Sequence, residues 1–93
     1  MTDEMVATKH PLGKRNRVVA KRDYETFKAA ILAALRRAEL THTELLNDVT
    51  RSLKGKFSGN VGWHLMVVKL DLEARKLIKR TSSTPQRYRL TRS

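Results

Sequence analysis

Ninety-three residues suffice for one domain with a modest core and leave no room for a second. The absence of cysteine excludes disulfides, thiolate nucleophiles and zinc fingers together. A formal net charge of +11, with 40% of residues hydrophobic and 31% charged, marks a globular chain that either seeks an acidic partner or repels itself.

In chain order, Met1 to Thr8 shows no periodicity and reads as a loose end. Residues 1–22 are expected to form a flexible basic arm. His10-Pro11-Leu12-Gly13-Lys14 carries turn formers, and residues 17–20 (Arg17-Val18-Val19-Ala20) read either as a short strand or as part of the arm. Asp23 is a good N-cap, and Tyr24, Phe27, Ile31, Leu35 and Ala38 recur behind it at helical spacing, so a first helix is predicted over about 23–38. Arg36 and Arg37 in its last turn complement the negative end of the helix dipole.

Thr41-His42-Thr43-Glu44 has the spacing of a capping box and opens a second helix over about 42–53, whose buried stripe is Leu45, Leu46, Val49 and Leu53. Ser58 is the expected cap of a third helix over about 58–76. That helix carries two apolar stripes: Val61, Leu65, Val68 and Leu72 on one side, and Trp63, Met66, Val67, Leu70 and Ala74 nearly opposite. A helix apolar on two sides must be covered on two sides. Asp71 is spaced to pair with Arg75 at i, i+4. Leu77 and Ile78 continue the core. Strands over about 77–81 and 86–91, with Pro85 in the turn between them, close a hairpin in which Tyr88 and Leu90 alternate with Arg87 and Arg89.

The bases gather in two acid-free blocks. Lys9, Lys14, Arg15, Arg17, Lys21 and Arg22 form one, and Arg75, Lys76, Lys79, Arg80, Arg87, Arg89 and Arg92 the other. Basic tails often do no more than keep a chain soluble, but such blocks on both flanks of a folded middle favour contact with a polyanion. His10, His42 and His64 lack the i, i+3 or i, i+4 spacing of paired ligands, so neither metal nor cofactor is expected. Ser58 has no base and orienting acid encoded near it, and Gly55 and Gly59 form no phosphate loop, so no enzymatic activity is expected either. No apolar run approaches a membrane span, and Met1-Thr2-Asp3-Glu4 has no signal-peptide character. The expected location is the cytoplasm, with no membrane partner.

The line Val68-Lys69-Leu70-Asp71-Leu72-Glu73-Ala74-Arg75-Lys76-Leu77-Ile78-Lys79-Arg80 resembles the winged-helix segment in which the third helix ends in a Leu-Glu-x-x-small-Leu-Ile phrase and turns into the wing. The likeness runs over roughly residues 24 to 91. With its His10-Pro11-Leu12-Gly13-Lys14 lead-in, the chain is also similar to a small bacterial winged-helix family to which no activity is attached. The resemblance implies an α+β, mainly α, winged helix-turn-helix fold over residues 23–93, with Val68 and Leu72 in its core and Leu40 as the very short first strand that winged helices use. Lys76 departs from the pattern, since many winged helices place Gly there, and this predicts a different helix end or a modest strain.

The expected function is double-stranded DNA binding by a small transcriptional regulator or chromosome-associated protein, mainly through phosphates. Lys14, Arg15, Arg17, Lys54, Lys56, Arg87 and Arg89 are the expected contacts, and Asn60, His64 and Lys69 the readers of bases. The alternative is an interaction module without sequence-specific reading, whose Trp63, Met66, Val67 and Leu70 cover a second copy or another partner. A lone Trp is more often core or interface than a platform for a base. The competing cover for that stripe is the chain's own Leu12, Val18 and Val19. RNA binding is a third reading, weakened by the lack of exposed aromatic strands.

Overall fold

A computed structural model describes residues 4–14 and 16–91 and places three helices between two small antiparallel hairpins. In order the elements are β1 (Met5–Ala7), β2 (Val18–Ala20), α1 (Lys21–Arg37), α2 (His42–Ser52), α3 (Val61–Ala74), β3 (Ile78–Arg80) and β4 (Tyr88–Leu90). The class is α+β, mainly α.

The helices pack on one another through the stripes that their spacing predicts. Tyr24, Phe27, Ile31 and Leu35 of α1 meet Leu45 and Val49 of α2, with Leu53 just beyond it, and Leu65, Val68 and Leu72 of α3. Ile78 and Tyr88 close the core from the C-terminal hairpin.

The helix ends differ from expectation in instructive ways. α1 begins before Asp23, at an Ala20 cap with no side-chain hydrogen bond, because the chain runs straight out of β2 into the helix. Asp23 instead sits in the first turn, where its charge faces the positive end of the dipole. The Thr41–Glu44 capping box forms as predicted, with Glu44 N–H donating to Thr41 Oγ1 at 3.2 Å and Thr41 N–H to Glu44 Oε1 at 2.9 Å. α3 starts later than expected, since Asn60 rather than Ser58 caps it by accepting from Trp63 N–H at 2.9 Å.

At its other end α3 stops at Ala74. Leu77 N–H donates to the Leu72 carbonyl (2.9 Å) and Lys76 N–H to that of Glu73 (3.0 Å), with Lys76 at φ 63°. This is a Schellman close with lysine in the left-handed position usually taken by glycine.

β3 and β4 pair Ile78 with Leu90, Lys79 with Arg89 and Arg80 with Tyr88, each strand shorter than predicted. Leu40 joins them as expected of a very short strand. Its N–H donates to the Tyr88 carbonyl and its carbonyl accepts from Tyr88 N–H, at 3.2 and 2.7 Å.

The largest correction concerns residues 1–22. Among the described residues this segment is a hairpin packed on the helices rather than an arm or a loose end. Met5, Val6 and Ala7 pair with Ala20, Val19 and Val18, and Val19 is buried against α1. Between the strands, Lys9 N–H donates to Asp71 Oδ1 (2.8 Å), while Asn16 Nδ2 donates to the Lys9 and Val67 carbonyls (3.0 and 3.1 Å). The loop therefore lies along the side of α3 formed by Val67, Asp71 and Ala74. Of the apolar residues proposed as cover, only Val19 is buried, whereas Leu12 and Val18 face outward.

Candidate nucleic-acid interface

The charge excess has to be located in space, because a base already held by a carboxylate offers less to a phosphate. Blocks that are acid-free along the chain are not acid-free in the fold. Arg75 reaches Asp71 and Arg80 reaches Glu73, each at 2.8 Å. Arg87 approaches Glu44 at 3.5 Å and Arg89 approaches Glu39 at 3.9 Å. Arg37 and Arg51 share Asp48, at 2.6 and 3.8 Å, and Lys21 meets Glu4 at 3.2 Å. The C-terminal hairpin is thus partly neutralised by carboxylates from α3, from α2 and from the segment before it.

The exposed bases that have no carboxylate partner among the described residues lie elsewhere. Lys9, Lys14 and Arg17 project from the N-terminal hairpin, Arg36 from the last turn of α1, Lys54 and Lys56 from the turn between α2 and α3, and Lys76 and Lys79 from the start of the C-terminal hairpin. Arg15, also an expected contact, lies outside the described residues.

The three expected readers of bases are occupied by the fold. Asn60 spends its side-chain carbonyl on the α3 cap. His64 packs among Phe27, Phe57 and Trp63, with ring centroids 5.4, 4.8 and 4.9 Å away, and its Nδ1 lies 2.8 Å from the Asn60 carbonyl. Its other nitrogen is turned towards Asp23 at 3.9 Å.

Lys69 is only 5% exposed. Its ammonium donates to Tyr88 Oη and to His42 Nδ1, both at 2.9 Å. Partial burial of the ring and the adjacent Lys69 charge lower the His42 pKa, so the ring stays neutral and accepts through Nδ1. A side chain held in this way cannot reach a major groove. Along the chain Lys69 stands between the two apolar stripes of α3, with no sign that Tyr88 arrives from the far end to bury it.

Spacing marks Asp71 as a partner of Arg75 but does not mark it as a hub. Fully buried, it accepts from Lys9 N–H, from Tyr24 Oη at 2.5 Å and from Arg75 Nε. Burial, and then the hydrogen bond to this carboxylate, push the Tyr24 phenol up to about 12. Three separate stretches of chain converge on one side chain, which fixes the N-terminal loop against α3.

The outward strip of α3 is apolar. Trp63 is 36% and Met66 44% exposed, and Leu70 is half-buried. Val67, expected in the same interface, is fully buried on the side along which the N-terminal loop lies, and so drops out of it. Among the described residues no three His, Asp or Glu side chains are grouped to hold a metal, and no helix is long and apolar enough to cross a membrane.

The chain matches no curated protein and no solved structure. A family model does match, over residues 5–88, which takes in the N-terminal hairpin, all three helices and β3 and ends at the start of β4, and the chain belongs to that family, DUF6958, a family of unknown function.

Proposed function

We propose that the protein is a non-enzymatic binder of double-stranded DNA, built on a winged helix-turn-helix plan and holding the duplex through phosphates with little reading of base sequence. The observation that carries this reading is the set of exposed lysines and arginines left, among the described residues, without carboxylates after the acids have been paired, on a chain of net charge +11. The winged-helix assignment is supported by the order of three helices followed by a hairpin, and by the Leu40 bridge, which lies beside β4 as the short strand between the first two helices does in that plan. Weak sequence preference follows from α3, whose outward strip is Trp63, Met66 and Leu70 and offers the Trp63 indole N–H as its one side-chain polar group for distinguishing base pairs. The role is that of a small regulator or chromosome-associated protein.

Titrating random duplex with the protein at several salt concentrations tests the reading. If some six phosphates are neutralised, log K should fall with log salt at a slope of about −5. No detectable binding at low salt, or binding indifferent to salt, would remove it.

A second reading has its own observation. The outward strip of α3 offers an apolar surface of the kind found at interface centres, rich in Trp and Met, and favours a homodimer or partner complex formed through Trp63, Met66 and Leu70. The two readings are compatible, since a dimer can carry both basic hairpins to one duplex.

A further inference from the structure

The N-terminal loop combines three features. It is internally braced: Gly13 N–H donates to the His10 carbonyl at 2.9 Å, and Leu12 N–H to His10 Nδ1 at 3.1 Å. Pro11 sets the backbone at the second position of this turn, and Gly13, at φ 75°, takes the left-handed conformation that follows it. It is also tied at its base, where Thr8 donates through both N–H and Oγ1 to the Arg17 carbonyl and the Lys9 and Asn16 bonds grip α3. Finally, it exposes an apolar tip. Leu12 is 74% exposed, more than any other large apolar side chain among the described residues, with Pro11 beside it.

A leucine held outward on a braced turn gains nothing for the fold. The same loop carries the exposed Lys9, Lys14 and Arg17, none with a carboxylate among the described residues, and Lys9, His10, Pro11 and Lys14 share a shallow hollow with Ala74 at the end of α3, two residues from the exposed Lys76. An apolar wedge between cationic side chains is the arrangement by which proteins enter a minor groove, with cations on the two phosphate walls and the wedge levering open a base step.

We infer that this hairpin loop, rather than α3 or the C-terminal hairpin, is the element that enters the duplex, with Lys9, Lys14 and Arg17 on phosphates and Pro11-Leu12 wedged into the minor groove. The inference rests on the DNA-binding reading above and adds where and how the contact is made. The opposite hairpin is the weaker candidate because Arg80, Arg87 and Arg89 must each give up a carboxylate to take a phosphate.

The test uses the full chain and a random-sequence duplex labelled at both ends for energy transfer. Wild type should bind and shorten the end-to-end distance. If wild type does not bind at low salt, the DNA reading and this inference fall together. Given binding, replacing Lys9, Lys14 and Arg17 with Ala should make the salt slope shallower by about 2 to 3, close to 0.9 for each phosphate no longer neutralised. Arg87→Ala with Arg89→Ala should change it by less than about 1. The reverse pattern would overturn the inference and leave the DNA reading standing. Leu12→Ala should keep the slope, weaken binding roughly tenfold and remove most of the bend. A duplex bound without bending, or a Leu12→Ala protein that binds and bends like wild type, would also overturn it. All the substituted side chains are exposed or half-exposed, and circular dichroism of each variant checks that the fold is retained.

Discussion

Asp71 shows how much one side chain decides here. Its carboxylate accepts from Lys9, Tyr24 and Arg75 in a fully buried position, so removing it strands three donors at once. The bond also makes a titration visible. The folded-state pKa of Tyr24 lies near 12, above its unfolded value of 10.0, so the neutral phenol is favoured by folding. That contribution is complete below pH 10 and is lost as pH rises from 10 through 12, amounting to about 2 to 3 kcal/mol. Denaturant midpoints measured across this window should fall steeply for wild type and less for Tyr24→Phe, and parallel curves would contradict it. Lys76 offers a second test at this scale. A lysine at φ 63° carries strain that glycine does not, and Lys76→Gly should stabilise the fold by about 0.5 to 1 kcal/mol after the extra chain entropy of glycine is subtracted. A lower melting temperature for Lys76→Gly would show that the lysine side chain does something at the helix end that outweighs the strain.

At the scale of elements, α3 is the beam against which the others are set. Leu65, Val68 and Leu72 face α1 and α2, and the N-terminal loop lies along Val67, Asp71 and Ala74. Leu72 is fully buried in this arrangement, and Leu72→Ala should cost about 2 to 5 kcal/mol, measured by chemical denaturation. An unchanged midpoint would mean that the wrong stripe had been assigned to the core. The two hairpins have different characters for an electrostatic reason. The C-terminal one sits within reach of Glu39, Glu44 and Glu73, so its arginines are partly spent on structure. Among the described residues, the loop of the N-terminal one meets an acid only at Asp71, and there through the Lys9 backbone, so its cationic side chains remain available.

For the whole molecule, the deciding measurement is whether the strip on α3 is covered by a second copy. Two chains of charge +11 brought together repel at low ionic strength, and added salt screens that repulsion. A dimer through Trp63, Met66 and Leu70 should therefore tighten as salt rises, while DNA binding weakens. Sedimentation of wild type against Met66→Glu and Leu70→Glu at two salt concentrations checks it. A protein that stays monomeric at tens of micromolar in both salts would end the dimer reading.

The local periodicity of the chain is enough to place the three helices, the capping box at Thr41–Glu44 and most of the buried stripes of α1 and α2, because helix formation and capping depend on residues within four positions of one another. It also shows that α3 has two apolar sides, while the Leu40 strand and the unusual helix end at Lys76 are legible through the winged-helix resemblance. The part of the second side at Val67 and Asp71 is covered by residues more than fifty positions away, while Trp63 and Met66 stay exposed. Lys9 and Asn16 come to Asp71 and Val67 across separations of 62 and 51 residues, and no short-range pattern encodes such pairings. The same holds for charge and for the candidate site. Lys69 lies among the polar residues of a helix until Tyr88 and His42 enclose it, and the basic C-terminal block stands free of acids until folding brings Glu39 and Glu44 beside it. Composition sets how much charge there is, while only the fold decides which of it remains unpaired, because carboxylate and ammonium groups attract according to distance in space rather than separation along the chain.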